Sequence, residues 1–479
     1  MTRVMVPTRT ILAWPATILT LILLSACASV SPEQNSSRIN DEAAAFTGGQ
    51  LALALTDEER SRRIKTALAL LERPLSQTDA VQLALVNSPS MQALLAQGWA
   101  ESANAAQAGR ISNPVFSFEH VATGDELELS RALSFGLLDL LTLPKRQGIA
   151  SRLIEQSQLR LTGVVVDQVT QIRQAWVRAV AAQQSLTYAQ QVYASAEASA
   201  HLARRMQAAG NFNRISRARE QAFYADAATS LASATHRATA AREALARLLG
   251  LDEAQTRTLQ LPERLPDLPR EPLTPETIGS QATRGRLDIR LAQTELDAAA
   301  KAQGLNSITS LTDIELAVRR DTVFDNVEGT RSNPRGYEVD VRLPIFDWGD
   351  MQRNAMNART LAAANQLEAT MRIAGSSLRE GYSTYRTAFD IARHYRDEVI
   401  PLRRIIADEN LLRYNGMIIG VFELLADARE QITVVMAAID AEQQFWLADA
   451  ALQATLIGRP TSTTLTATTG ASSASGDGH

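Results

Sequence analysis

Cysteine and aromatic residues are scarce in this sequence, and each shortage excludes a kind of protein. Cys27 is the one cysteine among 479 residues, so neither an internal disulfide nor a cysteine-based metal cluster can form. The five histidines are scattered, and the sequence therefore predicts no metal site. Aromatic residues make up only 5% of the chain, which favours long, closely packed, Ala-rich helices over a mixed α/β enzyme.

Motifs of catalysis and of nucleic-acid binding are also lacking. The sequence has no Gly-rich phosphate loop, no nucleophile elbow and no His-Glu-x-x-His segment, so we expect no enzymatic activity and no cofactor other than lipid. A net charge of -4 with interspersed signs leaves no basic face for nucleic acid. With 45% hydrophobic residues, however, the chain can bury a large core.

The first 26 residues have the layout of a secretory signal. Two arginines precede an apolar run over residues 11–24, which ends in the phrase Leu24-Ser25-Ala26-Cys27. This phrase resembles a bacterial lipobox, which implies cleavage before Cys27, attachment of lipid to its thiol and, with Ala28 next, delivery to the outer membrane. The alternatives are an uncleaved anchor and a free thiol, but the apolar run is short beside the roughly 20 residues of a membrane-spanning helix.

Strand signals occur in two pairs. Residues 115–121 and 126–133 alternate around a Gly124-Asp125 turn, and residues 313–320 and 337–343 alternate on either side of a polar loop at 321–336. No later segment is long and apolar enough for a transmembrane helix, so any crossing of a bilayer requires these strands. Four strands are too few to close a transmembrane barrel, which needs about eight, and several copies of the chain must therefore pool them.

A long helical hairpin follows each strand pair. Helical signals continue after Pro144 for roughly 65 residues, or about 100 Å if unbroken, and a partner helix returns after Gly210-Asn211. The second half repeats this order, with its own break at Asn415-Gly416. The matching positions of the internal repeat are Pro144 with Pro344, Gly210 with Gly416 and Gly250 with Gly458.

These signals divide the chain into six segments. They are a signal peptide (1–26), a lipid-anchored tether and equatorial segment (27–75), a first repeat (76–250), a Pro-rich equatorial linker (251–280), a second repeat (281–458) and a low-complexity tail (459–479). The two repeats each contain a helix, a strand pair and a long helical hairpin.

Three phrases resemble those of the TolC outer-membrane efflux protein family, whose order of elements matches nearly the whole mature chain. They are residues 341–349 (VRLPIFDWG), 286–289 (RLDI, with Leu287 where the family has Pro) and 413–416 (RYNG). The resemblance implies a mainly α fold with a small β portion, in which antiparallel helical hairpins form an α-barrel and four strands per chain join a shared transmembrane β-barrel. It also implies a homotrimer in outer-membrane lipid that extends into the periplasm and contacts an adaptor (membrane fusion) protein and an inner-membrane RND-type transporter.

The function implied by this resemblance is tripartite efflux of drugs or metal ions to the cell exterior. The duct of a type I protein secretion system would have the same chain architecture. A periplasmic coiled-coil scaffold without a pore is the alternative from a different class.

Two carboxylates are candidates for a periplasmic gate. Glu423 and Asp427 lie four residues apart just after the second hairpin tip, so both project from one face of the helix. In a trimer they would form an acidic ring that favours cationic or neutral cargo. An ordinary solvated helix face explains them as well. Arg214 and Arg217 are candidates to pair with them and to hold a closed state.

The two hairpin tips are candidates for contact with the adaptor. Apolar residues at an exposed turn are unfavourable unless a partner covers them, and glycine supplies the turn geometry. Simple packing within the hairpins is the alternative. The candidate tip residues are Gly210, Asn211, Phe212, Arg214, Tyr414, Gly416, Met417, Ile418 and Gly420.

Aromatic residues near the strands have two interpretations. They either form a belt at the membrane interface or pack in the core of the strand pairs. The residues concerned are Phe116, Phe118, Phe135 and Tyr337.

Overall fold

The computed structural model describes residues 30–282, 285–325 and 327–461, without the side chains of 279–282 and Phe422. The predicted signal peptide, Cys27 with its lipid, and the tail from residue 462 lie outside the described residues. The predictions for these segments therefore stay predictions. Within the described ranges, no helix combines the length and the apolar character that crossing a membrane requires.

Helices make up most of the described chain. They are α1 (Pro32–Glu42), α2 (Ala44–Thr47), α3 (Asp57–Leu71), α4 (Gln77–Asn87), α5 (Pro89–Gln107), α6 (Leu137–Ala208), α7 (Arg214–Leu249), α8 (Glu253–Thr258), α9 (Pro275–Ala282), α10 (Leu287–Thr309), α11 (Asp350–His394), α12 (Ile400–Asn415) and α13 (Val421–Leu456). A π-helical turn, Tyr395–Val399, connects α11 to α12. The strands are β1 (Val115–Thr123), β2 (Glu126–Gly136), β3 (Ile314–Asp325), β4 (Thr330–Ser332) and β5 (Arg335–Val341).

The chain divides into two compact units. The first contains residues 30–35, 96–160 and 290–370, and the second contains residues 36–95, 161–289 and 371–461. The first unit therefore holds all five strands, and the second holds both hairpin tips.

An antiparallel sheet lies in the first unit, in the order β1-β2-β3, with both β4 and β5 paired to β3. The β3–β4 and β3–β5 pairs continue one register, which is interrupted only at Asn333 and Pro334. Proline has no N–H to donate to the ladder, but the carbonyl of Pro334 still accepts from the backbone N–H of Asp321 at 3.0 Å. β4 and β5 thus act as one interrupted strand, and the expectation of four strands is confirmed.

The prediction of a polar loop at residues 321–336 is mostly wrong. β3 continues to Asp325 because Thr322, Val323 and Phe324 pair in register with β2, which extends to the turn at Gly124. The connection between β3 and β4 shortens to residues 326–329. Cross-strand pairing outweighs the polar composition of this segment.

We expected Pro144 to precede the long helix, but it lies inside α6. The helix begins at Leu137, and near its start the hydroxyl of Thr142 donates to the carbonyl of Leu138 while Arg146 pairs with Asp139 at 2.8 Å. These contacts support the first turns despite the backbone hydrogen bond that proline removes. Pro344 lies outside helices, between β5 and α11, so the match of Pro144 with Pro344 is wrong.

The second unit has an aromatic core on the inner faces of α11 and α13. Tyr385 and Phe389 of α11 contact Phe445 of α13, with ring centroids 5.5 and 5.7 Å apart. The Pro-rich linker packs against this region, where the indole of Trp446 donates to the carbonyl of Pro266 at 3.1 Å. On α6, the buried Trp176 donates to the carbonyl of Leu75 at 2.8 Å.

Residues 36–47 lie in the segment that we predicted as a tether and equatorial segment (27–75). They are mainly helical, and Ile39 and Phe46 are buried. Arg173 of α6 stacks 4.8 Å from the centroid of the Phe46 ring and donates to the carbonyl of Ala45 at 2.8 Å. Burial of these apolar side chains thus stabilises residues 36–47, although the sequence of this segment has few signals of ordered structure.

The internal repeat is visible where each long hairpin ends. Gly250 after α7 and Gly458 after α13 both have left-handed backbones, with φ of 67 and 90. In each case the N–H of the next residue donates a hydrogen bond to the carbonyl five residues earlier, from Leu251 to Ala246 and from Arg459 to Ala454. This is the Schellman arrangement. The match of Gly250 with Gly458 is therefore confirmed.

Candidate functional site

The first tip, between α6 and α7, is a compact turn. Gly210 has φ 81, and the N–H of Asn211 donates to the carbonyl of Met206 at 2.9 Å. Asn213 caps α7 by accepting from the N–H of Ser216 at 2.7 Å. Phe212 is 8% exposed and lies within the tip, which favours packing within the hairpin over contact with an adaptor for this residue.

The second tip, between α12 and α13, uses a different residue for the same geometry. Gly416 has φ -77, whereas Met417 has φ 58 and is the one non-glycine residue of the described chain in the left-handed region. The N–H of Ile418 donates to the carbonyl of Arg413 at 2.8 Å, which completes the Schellman arrangement. Met417, not Gly416, is therefore the structural counterpart of Gly210.

The candidate tip residues differ in the solvent exposure of their side chains. Met417 is 92% exposed and Ile418 is 70% exposed, whereas the neighbouring Ile419 is buried. Ile215, in the same segment of the first tip, is 67% exposed. The remaining candidates are exposed as predicted, namely Gly210, Asn211, Arg214, Tyr414, Gly416 and Gly420.

Glu423 and Asp427 lie in the first two turns of α13, where Glu423 is exposed and Asp427 is half-buried. Neither carboxylate has a basic partner within 4 Å in the described part of the chain. Arg217 instead donates to the side-chain oxygen of Gln207 at 2.6 Å. The expected pairing of Arg214 or Arg217 with these carboxylates is absent from the described protomer.

One ion pair that connects the two hairpins joins Glu220 of α7 to Arg429 of α13. Glu220 is 2% exposed, and the guanidinium carbon of Arg429 also lies 4.4 Å from the centroid of the Phe223 ring. Sequence reasoning missed this pair, although one signal was present. Glu220 lies on a seam of small buried residues of α7 that includes Ser216 and Ala227.

The sheet of the first unit has two chemically distinct faces. Residues that pair directly across strands project to the same side, so the registers assign every strand residue to a face. One side, here called the acidic face, carries every carboxylate of the strands, namely Glu119, Glu126, Glu128, Glu315, Asp321, Asp325, Glu338 and Asp340. The opposite side, here called the apolar face, carries Phe116, Leu133, Val318, Tyr337, Phe135, Leu316 and Val339.

Aromatic residues of the apolar face are mostly exposed. Phe116 is 65% exposed, Phe118 59% and Tyr337 83%, while Phe135 is half-buried. Core packing therefore does not explain the first three. Their exposure favours the interpretation as interface residues.

Comparisons with known proteins identify the fold. No protein-family model and no curated protein matches the sequence. Among solved structures, the outer membrane protein VceC of Vibrio cholerae is 16% identical with a TM-score of 0.65, and the match covers 80% of this chain and 96% of VceC. The outer-membrane channel OprN is 17% identical with a TM-score of 0.65, over 87% of this chain and 95% of OprN.

A third solved structure captures an open channel. The open-state MtrE outer membrane channel of Neisseria gonorrhoeae is 20% identical with a TM-score of 0.53, over 85% of this chain and 91% of MtrE. All three match nearly their whole length, so the similarity includes both repeats. The resemblance read from the sequence is thus confirmed in the architecture, and the chain has the fold of the TolC-type outer-membrane channels.

Proposed function

We propose that this chain is one subunit of a homotrimeric outer-membrane duct. The observation that carries the proposal is the two-faced sheet, in which an apolar face with exposed aromatic residues opposes a face that holds every strand carboxylate. This segregation suits strands with lipid on one side and water on the other. The outer edges of β1 and β5 have no strand partner within the described residues, and neighbouring copies would pair with them.

The duct would carry drugs or metal ions from an RND-type inner-membrane pump through a periplasmic adaptor. The channels that share this fold support a pore, and the acidic face favours cationic cargo.

Lipid on Cys27 would anchor each subunit. Substituting Cys27→Ser should abolish incorporation of labelled palmitate, and unchanged incorporation would exclude the anchor.

A conductance measurement tests the pore. The purified protein should run as a detergent-stable trimer and conduct ions in planar bilayers, whereas a pore-free scaffold would do neither. Deleting the gene should sensitise cells to small toxic compounds. Loss of polypeptide export alone would instead favour a secretion duct.

We further propose that Glu423 and Asp427 line the periplasmic end of this pore. Both lack basic partners in the described protomer, so their charges are available to passing ions. The double variant Glu423→Gln/Asp427→Asn should lower the cation-over-anion permeability ratio severalfold. The matched control is Asp57→Asn/Glu58→Gln, on exposed positions of α3. An equal change in both double variants would assign the effect to net charge.

A further inference from the structure

Three arginines stand side by side on the apolar face of the sheet. The registers pair Arg131 of β2 with Arg320 of β3, and Arg320 with Arg335 of β5. Directly opposed residues have Cβ atoms about 5 Å apart, so the three side chains form one continuous row, here called the arginine row. Arg320 and Arg335 are exposed, and Arg131 is half-buried.

Carboxylates of the described residues do not neutralise the arginine row. Within the described ranges, none of the three guanidinium groups has a carboxylate within 4 Å, and every strand carboxylate lies on the opposite face. Arg319 shows the contrast, because it projects to the acidic face and pairs with Glu128 at 3.3 Å and with Asp321 at 2.9 Å.

Such a row is unfavourable by itself. Like charges directly opposite each other on neighbouring strands destabilise a sheet. Arginine stays protonated, so loss of a proton does not relieve this repulsion. A bound anion would remove the repulsion. The guanidinium fork matches the oxygens of a phosphate group, and a row of three offers several such forks at one level.

The surroundings of the row indicate where the phosphate comes from. On the side away from the β-turns, the next row is apolar and aromatic, with Phe116, Leu133, Val318 and Tyr337. On the side toward the turns, the same face carries Leu129 beside His120 and Thr322. Leu127, Phe324 and Arg331 follow, and the guanidinium of Arg331 stacks 5.2 Å from the centroid of the Phe324 ring. The face is thus apolar or aromatic in every row on one side of the arginine row, and it mixes basic, polar and apolar side chains from the row to the turns, as the environment of a lipid changes from acyl chains to headgroups.

We propose that Arg131, Arg320 and Arg335 bind the phosphate groups of anionic lipid headgroups at the membrane interface. This inference rests on the proposed function, since it requires the apolar face to lie against lipid. The row then fixes the depth of the sheet in the bilayer, because the apolar rows below it stay among acyl chains. Copies of the chain in a trimer would extend the row into a basic belt.

Spin-labelled lipids test the proposal on the full-length trimer. The protein is reconstituted in phosphatidylcholine vesicles, and the association of spin-labelled phosphatidylglycerol is compared with that of spin-labelled phosphatidylcholine. The wild type should prefer phosphatidylglycerol at least about fivefold, the equivalent of roughly 1 kcal/mol. The triple variant Arg131→Gln/Arg320→Gln/Arg335→Gln should lose this preference, while the corresponding triple Lys variant keeps part of it.

The matched control neutralises three exposed arginines on helices, Arg62→Gln/Arg205→Gln/Arg404→Gln, and should keep the wild-type preference. An unchanged preference in the triple Gln variant of the row, or equal losses in both triples, would overturn the proposal. So would inorganic phosphate bound by the detergent-solubilised protein as tightly as phosphatidylglycerol. Planar-bilayer conductance separates the two proposals, because a conducting wild type without lipid preference contradicts only the arginine row.

Discussion

Glu220 and Arg429 tie the first hairpin to the second through a hydrogen bond of 2.7 Å from the guanidinium to the carboxylate. The carboxylate is almost fully buried, and the side chain of Arg429 is 33% exposed. The second carboxylate oxygen of Glu220 and Nε of Arg429 are buried without hydrogen-bond partners. The pair is therefore imperfectly compensated, and removing either partner leaves the other charge poorly solvated.

We expect Glu220→Ala to lower the free energy of unfolding by about 3 kcal/mol, because Arg429 is then left without its counter-ion. Thermal unfolding of the detergent-solubilised protein, followed by circular dichroism, measures the loss. The control is Glu430→Ala, which removes the ion pair with Arg403; Glu430 is 60% exposed, so the change should stay below about 1 kcal/mol. Equal losses in the two variants would show that burial of Glu220 contributes nothing.

A second prediction concerns the glycine that ends α7. A Cβ on Gly250 would lie 2.6 Å from the Cα of Ser88 and 2.7 Å from the Cδ of Pro89, and its φ is 67. Gly250→Ala combines a steric clash with left-handed strain, and it should cost about 3 kcal/mol in the same unfolding measurement. Gly210→Ala is the matched control, since φ is 81 but nothing lies within 4 Å of its Cβ. Only the strain of about 1 kcal/mol should remain there, and similar losses at both sites would contradict the clash.

The sequence was sufficient for features that depend on local patterns. Alternation predicted the strand pairs, and the Gly124-Asp125 turn fixed the register of β1 with β2, because Thr123 pairs directly with Glu126. Buried seams of the long helices also have a helical spacing, as at Tyr385 and Phe389, which are four residues apart on α11 and both buried. In each case a periodic local signal determines which side chains face the core.

Features that join distant segments were not predictable. The arginine row requires the registers of two strand pairs at once, because Arg131 and Arg320 meet only across β2 and β3. Likewise, the contact of Glu220 with Arg429 depends on how two long helices pack, which spacing along one helix does not determine. Pairing across the fold, not local propensity, decides these contacts.

Met417 offers a third prediction, because its left-handed backbone is unfavourable for a residue with a Cβ. Met417→Gly should raise the free energy of unfolding by about 1 kcal/mol. If the 92% exposed side chain contacts a partner at the tip, the same change should weaken binding of the purified adaptor severalfold. Ile418→Ala is the control, since it removes exposed apolar surface without changing backbone strain. Full adaptor affinity in both variants would exclude this tip surface as the docking site.

The last prediction concerns pH and Asp449, on α13 in the second unit. Burial among protein atoms raises the pKa of Asp449 from 3.8 to about 6, against the opposing effects of Arg173 and of a hydrogen bond with Gln453. Its side chain keeps some surface exposure, but the surrounding protein still displaces most of its hydration. The folded protein thus binds this proton more tightly than the unfolded chain does.

Because the folded pKa is raised, the stability contributed by protonated Asp449 is complete below about pH 3.8 and is lost as the pH rises through about 6. Asp449→Asn should therefore raise the free energy of unfolding near about pH 7.5, by about 2 kcal/mol, and flatten its dependence on pH between these values. The control Glu58→Gln, at an exposed position of α3, should leave the pH dependence as it is in the wild type. A destabilised Asp449→Asn protein at neutral pH would instead show that attraction to Arg173 outweighs the cost of burying the carboxylate, which reverses the sign argued here.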